Sequence, residues 1–168
     1  MKLQEAARLA ERCVEVLTPF CERIEIAGSI RRARPNVNDI DLVALPKPGQ
    51  EAALRARIEK NGRPPRVSGP QTIVFDLAGG FQVDLWLAHA READLVAVTP
   101  GNFGTLYLCR TGAKEFNIWL AKQAQAKGLH WNPHHGIFRD KEWLAGETEE
   151  DVFRALALDW IPPVERER

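Results

Sequence analysis

The chain has 168 residues, 45% of them apolar, and its 23 Lys and Arg offset 23 Asp and Glu to a formal net charge of zero. That length suits one domain or two small lobes sharing a core, and the composition excludes low-complexity and collagen-like chains. Neutrality argues against a protein that grips a long stretch of nucleic acid by charge alone, so any such contact should be local and salt-sensitive.

Leu3, Ala6, Leu9, Ala10, Cys13, Val14, Leu17 and Cys21 recur at helical spacing and predict an amphipathic helix ending near Thr18–Pro19 or just beyond. Glu and Arg interrupt it at every turn, so it is neither a signal peptide nor a membrane span. Cys13, Cys21 and Cys109 match no metal-ligand spacing. Cys13 and Cys21 read as small buried hydrophobes, which fits a reducing cytoplasm. "RIEIAG" and "DIDLVAL" then read as strands, and "QEAALRARIEKNG" as a helix closed by Gly62. "TIVFDL" and "FQVDLWLA" read as a β-hairpin, with Gly79–Gly80 supplying the positive φ of its turn. "ADLVAVT" reads as one more strand, and a mixed α and β lobe closes near Pro100.

Beyond it, "GNFGTLYLCR" and "AKEFNIWLAKQAQAKG" predict two helices, the second ended by Gly128. Short strands follow in "LHWN" and "GIFRD", then a helix in "TEEDVFRALAL" with Thr148 and Asp151 as a capping box. The domains expected are a catalytic lobe over residues 1–100 and a smaller accessory lobe over 101–168.

The segment "AGSIRRARPNVNDIDLVAL" carries the chemistry. Side chains alternate along a strand, so Asp39 and Asp41 share a face, ahead of the apolar run Leu42–Leu45. Adjacent anions repel, and burying them unpaired is costly; divalent cations resolve the cost, with Mg²⁺ suited to hard oxygen ligands and substrate phosphates. Gly28 allows close backbone approach to an anion, Ser29 adds a hydroxyl, and Arg31, Arg32 and Arg34 add charge that grips phosphate oxygens. Asp84, framed by Val83 and Leu85 on a strand expected beside "DIDLVAL", is favoured as a third carboxylate over its rival Asp76. Two ions held by such a trio would clamp the attacking and leaving oxygens of an in-line phosphoryl displacement. His134–His135 have no Cys or acidic partner at ligand spacing and read as a solvent-facing turn or a phosphate contact.

"GSIRRARPNVNDID" and the later "VDL" resemble the palm motifs of the nucleotidyltransferase superfamily, specifically the family X DNA polymerases. Thr111, Gly112 and Asn117, "AKGLHWN" and the closing "EEDVFRALALDWIPPVERE" are similar to the family's thumb. The resemblance implies an α+β fold, a mixed-sheet palm with flanking helices followed by a small α/β thumb. It implies that Asp39, Asp41 and Asp84 bind two Mg²⁺, with Mn²⁺ able to substitute, and that Asp84 helps deprotonate a primer 3′-hydroxyl. Ser29 and Arg32 would hold the β and γ phosphates of a nucleoside triphosphate beside Gly28, and Asn38 would offer a backbone N–H. Gly112 and Asn117 would lie against the sugar and minor-groove edge of the incoming nucleotide.

Two departures from the family pattern carry expectations of their own. Cys109–Arg110 stands where the family has an aromatic pair that excludes a 2′-hydroxyl, which predicts weak sugar discrimination. Ala121 stands where the family has a template-checking Arg, which predicts low fidelity. One helix precedes the palm motif, so no lyase activity is expected. The expected protein is a monomer acting on a DNA primer-template or gapped DNA, away from membranes, with low processivity and room for a DNA-binding partner. The alternative is a template-independent nucleotidyltransferase acting on RNA, protein or a small molecule.

Overall fold

The apolar stripe at the N-terminus forms helix α1 (Leu3–Leu17), whose buried residues Ala6, Ala10, Cys13 and Leu17 recur every three or four positions. Pro19 lies in the 3-10 turn that follows (Thr18–Phe20), and Cys21 opens strand β1 (Cys21–Ile26). Cys21 therefore belongs to the strand and not to the helical stripe, because Pro19 cannot extend a helix. Burial pushes the thiols of Cys13 and Cys21 up to about 11, so both stay protonated and inert.

In this computed structural model, residues 1–60, 64–93 and 98–167 are described. They fall into two units, Met1–Ala88 and His89–Arg168; the sequence reading puts the boundary at residue 100.

The first unit continues with α2 (Gly28–Arg31), β2 (Ile40–Pro46), α3 (Glu51–Glu59), β3 (Val67–Ser68), β4 (Thr72–Asp76) and β5 (Gln82–Leu87). Gly62, the expected end of α3, lies outside the described residues. The strands form one mixed sheet in the order β1-β2-β5-β4-β3, with β2 and β5 parallel and the other neighbours antiparallel. Gly79 and Gly80 turn the β4–β5 hairpin with φ of +101° and +83°, conformations a Cβ disfavours.

Val83, Leu85 and Leu87 of β5 are buried, while Gln82, Asp84 and Trp86 between them are only half covered. The buried set joins Ile40, Leu42 and Ala44 of β2, Ile73 and Phe75 of β4, Leu54 and Ile58 of α3, and Ala10, Cys13 and Leu17 of α1. Each such large side chain contributes about 1.5–3 kcal/mol by leaving water. Period-two burial thus commits one sheet face to the core and sends Asp41 and Asp84 to the other.

In the second unit, β6 (Glu92–Ala93) pairs antiparallel with β7 (Val98–Thr99). Of the strand expected at 93–99, Ala93 falls in β6 and Val98–Thr99 in β7, while 94–97 lie outside the described residues. Helices α4 (Phe103–Thr111) and α5 (Lys114–Ala126) follow, then an antiparallel sheet of β8 (His130–Asn132), β9 (Gly136–Arg139) and β10 (Glu142–Ala145), then α6 (Glu149–Ala155). The unit's core gathers Leu108, Phe116, Leu120, Trp131, Ile137, Val152 and Phe153.

Gly128, at φ +66°, ends α5, and both bonds of the Thr148–Asp151 capping box are present. Helix α6 is shorter than its sequence suggests because Ala157 takes a positive φ of 46°. No described helix is long and apolar enough to cross a membrane.

Candidate active site

Parallel pairing of β2 with β5 sets Asp41 directly opposite Asp84, at the spacing of neighbouring strands, about 4.8 Å. The residues on either side, Ile40 and Leu42 on β2 and Val83 and Leu85 on β5, are fully buried and hold both strands in register. Asp39 sits one residue ahead of β2, half-buried. Burial pushes its carboxyl above the usual range, and the negative charge of Asp84 pushes it further, offset in part by a bond to its own backbone N–H. Asp84, on β5, therefore acts through space on Asp39, which precedes β2.

Helix α2 closes this rim from the side. The N–H of Ala27 donates to the Asp41 carbonyl at 2.8 Å, which carries the chain into Gly28 beside the Asp41 side chain. Gly28 has φ +58°, and a Cβ built there would lie 2.0 Å from Asp41 Oδ2. Only glycine fits, on both backbone and steric grounds. Ser29 Oγ is buried with no hydrogen-bond partner among the described residues, an unspent donor where the sequence places a phosphate contact. Arg32 caps the C-terminal end of α2, its N–H bonded to the Gly28 carbonyl at 3.2 Å, and Asn38 is exposed just before Asp39.

The three carboxylates line one rim but do not close on one point: among the described residues, no group of three His, Cys, Asp or Glu side chains gathers to hold a metal ion. The donor set still fits divalent cations that keep several waters and take one or two carboxylates plus substrate phosphates. The raised Asp39, the Gly28 cradle and the unspent Ser29 hydroxyl favour a cation and an anion together at this rim.

Sequence reasoning missed two residues here. Gln82 Nε2 donates to Asp84 Oδ1 at 2.7 Å, and Arg66 Nη1 donates to Gln82 Oε1 at 3.0 Å. Arg66 also grips Asp76, Nε to Oδ2 at 2.8 Å and Nη2 to Oδ1. Asp76, the rival third carboxylate, is thereby taken up in an ion pair at the far end of the hairpin. The one available signal was alternation, which puts Gln82 on the same face as Asp84.

Gly112 and Asn117 lie in the second unit. Gly112 ends α4 with φ +68°, and the peptide bond to Ala113 is cis. Asn117, in the first turn of α5, donates from Nδ2 to the Cys109 carbonyl at 2.8 Å. That bond fixes the amide orientation, leaving Oδ1 buried and without a partner among the described residues. Beside it, Arg110 Nη2 lies 3.4 Å from His134 Nε2, at the β8–β9 turn. Burial, then Arg110, then His135 hold the His134 imidazole below its ordinary value. Trp119 packs on Phe116 with ring centroids 5.3 Å apart. Lys114, Lys122, Lys127, Arg139 and Lys141 are all exposed.

Comparison with known proteins finds the following similarities. Residues 106–167 match the DNA polymerase beta thumb family. Human DNA-directed DNA/RNA polymerase mu is 28% identical over 179 residues, spanning 85% of this chain and 36% of that polymerase. The crystal structure of Leishmania infantum polymerase beta in a ternary P/T complex superposes with a TM-score of 0.74 at 21% identity, covering 100% of this chain and 77% of that one. The fold is that of a polymerase beta, a mixed α+β architecture. The chain is thus similar to family X DNA polymerases, and its residues 106–167 match the thumb model of polymerase beta.

Proposed function

We propose that the chain is a DNA-directed DNA polymerase of family X type, adding nucleotides to a primer 3′-hydroxyl in gap filling or repair. The observation that carries this reading is the pairing of Asp41 with Asp84 across parallel strands, with Asp39 beside them and Gly28 packed against Asp41.

Asp39, Asp41 and Asp84 would hold two Mg²⁺ ions, which when bound neutralise the triphosphate and make the primer hydroxyl more acidic. Ser29 Oγ and Arg32 would orient the β and γ phosphates, aided by the Asn38 N–H, and the Gly28 backbone allows the approach. Asp84 would receive the primer's proton on Oδ2, since Oδ1 already accepts from Gln82. In the second unit, Gly112 and Asn117 would bear on the sugar and minor-groove edge of the incoming nucleotide. Cys109, with its carbonyl held by Asn117 and no aromatic ring to exclude a 2′-hydroxyl, supports weak sugar discrimination. Ala121 supports low fidelity.

Primer extension on gapped and open DNA, with deoxy- and ribonucleotides and Mg²⁺, is the test. Template-directed incorporation of both sugars is the expected result. Incorporation of neither sugar on either DNA defeats the polymerase reading. Transfer to RNA, protein or small-molecule acceptors without template choice would favour the alternative acceptor class, for which Cys109–Arg110 and the zero net charge speak.

A further inference from the structure

We propose that Gln82 is a positioning residue for Asp84, itself oriented by Arg66, so that Asp76, Arg66, Gln82 and Asp84 form one hydrogen-bonded relay. The inference rests on the nucleotidyl-transfer reading of this rim.

A guanidinium only donates, so the Gln82 oxygen must face Arg66, and the Gln82 amide nitrogen must then face Asp84. Without Arg66 the amide has two orientations, and in one of them it aims an oxygen at a carboxylate. Arg66 is itself fixed at both ends. Its N–H donates to the Val74 carbonyl at 2.7 Å, and its guanidinium forks onto Asp76. Asp76 pairs in register with Gln82 across the hairpin, which brings anion, cation and amide to one place.

At the receiving end, Asp84 stands opposite Asp41 in register and close enough to Asp39 for its charge to be felt there. The bond from Gln82 holds Oδ1 and leaves Oδ2 for a cation or a proton. Hydrogen bonds in series polarise one another, so the Arg66 charge strengthens the donor that Asp84 feels without placing a second cation at the site. Read only as a surface ion pair, Arg66–Asp76 would be worth about 0–1 kcal/mol to the fold and nothing to the chemistry.

The test compares Gln82→Leu, Gln82→Glu, Arg66→Met and the Arg66→Met/Gln82→Leu double variant in the full chain. Two quantities are read: single-turnover incorporation on gapped DNA with Mg²⁺, and Mn²⁺ affinity measured by electron paramagnetic resonance. Gln82→Leu and Gln82→Glu should each lower the maximal rate and Mn²⁺ affinity by about 10- to 100-fold, the usual cost of losing a partner behind a metal ligand. The nucleotide concentration for half-saturation should move by less than about threefold, since neither variant touches the residues proposed to hold the phosphates and sugar. Gln82→Glu is the sharper variant: it keeps size and the contact with Arg66 but presents no donor to Asp84. Arg66→Met should cost about three- to tenfold, and the double variant should be no worse than Gln82→Leu, because both act through one bond.

Wild-type rate and Mn²⁺ affinity in Gln82→Glu would overturn the relay, as would losses that multiply in the double variant. If the wild-type chain incorporates nothing, the transfer reading fails by itself and the Mn²⁺ affinities alone decide the relay. If Gln82→Leu does not fold, Arg66→Met decides, and unchanged rate and affinity there overturn the proposal.

Discussion

On the first unit, Asp39, Asp41 and Asp84 crowd one sheet rim, and Asp39 is pushed up by burial and by the like charge of Asp84. On the second, the guanidinium of Arg166 is 0% exposed, yet Glu149 Oε1 meets it at 2.8 Å and the Ile161 carbonyl accepts from its Nε at 2.9 Å. Phe116, Phe153 and Trp160 surround it, with ring centroids 5.4, 5.5 and 5.7 Å away. A matched, hydrogen-bonded charge completes a core by itself. A cluster of like charges costs stability, and a bound cation relieves that cost. The contrast separates groups that serve chemistry from groups that serve packing.

Removing a charge from each unit should therefore have opposite signatures. Asp41→Ala should reduce incorporation by about 10³-fold or more, the several kcal/mol of charge stabilisation that a metal clamp supplies. The metal-free protein should melt at the same temperature or higher, because a crowded anion has gone. Primer extension beside thermal melting checks both halves, and wild-type turnover in Asp41→Ala would break the contrast. Arg166→Met, which takes the guanidinium away from the buried Glu149 carboxylate, should cost about 3–5 kcal/mol of unfolding free energy. Adding Glu149→Gln should recover part of that loss. Urea titration of the single and double variants reads the difference; equal losses would mean that Glu149 is not the group left stranded.

Much of the first unit was legible because its signals are local. Alternating Val83, Leu85 and Leu87 declare which way Asp84 faces, and Gly79–Gly80 declare the hairpin. That the Asp84 strand lies beside "DIDLVAL" was legible only through the chemistry, which needs a third carboxylate there; its parallel sense was not, because α3, β3 and β4 intervene and no spacing in sequence encodes it. The relay behind Asp84 was hidden for the same reason, since Arg66, Asp76 and Gln82 come from three segments that meet only once the sheet forms. Arg166 sits in "VERER", which looks like a solvated charged tail until the chain after α6 carries it to Glu149 and the rings. Two short strands, β3 and β10, have too few residues to show a period.

Gly28 joins the two themes of fit and charge. Gly28→Ala places a methyl group on Asp41 Oδ2 at a backbone angle that alanine disfavours. It should cost about 1–2 kcal/mol of stability. Incorporation should fall by about 10- to 100-fold, because displacing Asp41 disturbs a constellation sensitive to shifts of 1 Å or so. If stability falls while the turnover of the folded fraction is untouched, Asp41 has moved without consequence and the close approach serves packing alone.

The smallest effect probes charge in the second unit at a group that is neither matched nor clustered with its own sign by design of a metal site. His134 has a lowered folded-state value, set by burial first and then by the positive charges of Arg110 and His135. Folding therefore favours its neutral form, and the unfolded chain binds more protons between the folded value and the ordinary 6.5. That part of the stability is fully present above 6.5 and drains away as pH falls through the lowered value. His134→Gln cannot take up the proton, so its stability should decline less than wild type on acidification below 6.5, with the two converging at pH 8 apart from a constant offset. Arg110→Met should also reduce the wild-type decline, because one of the two cations opposing protonation is gone. Unfolding free energies measured along a pH series read both variants, and a His134→Gln curve parallel to wild type throughout would place the pH response of this unit elsewhere, with the raised carboxyl of Asp151 next in line.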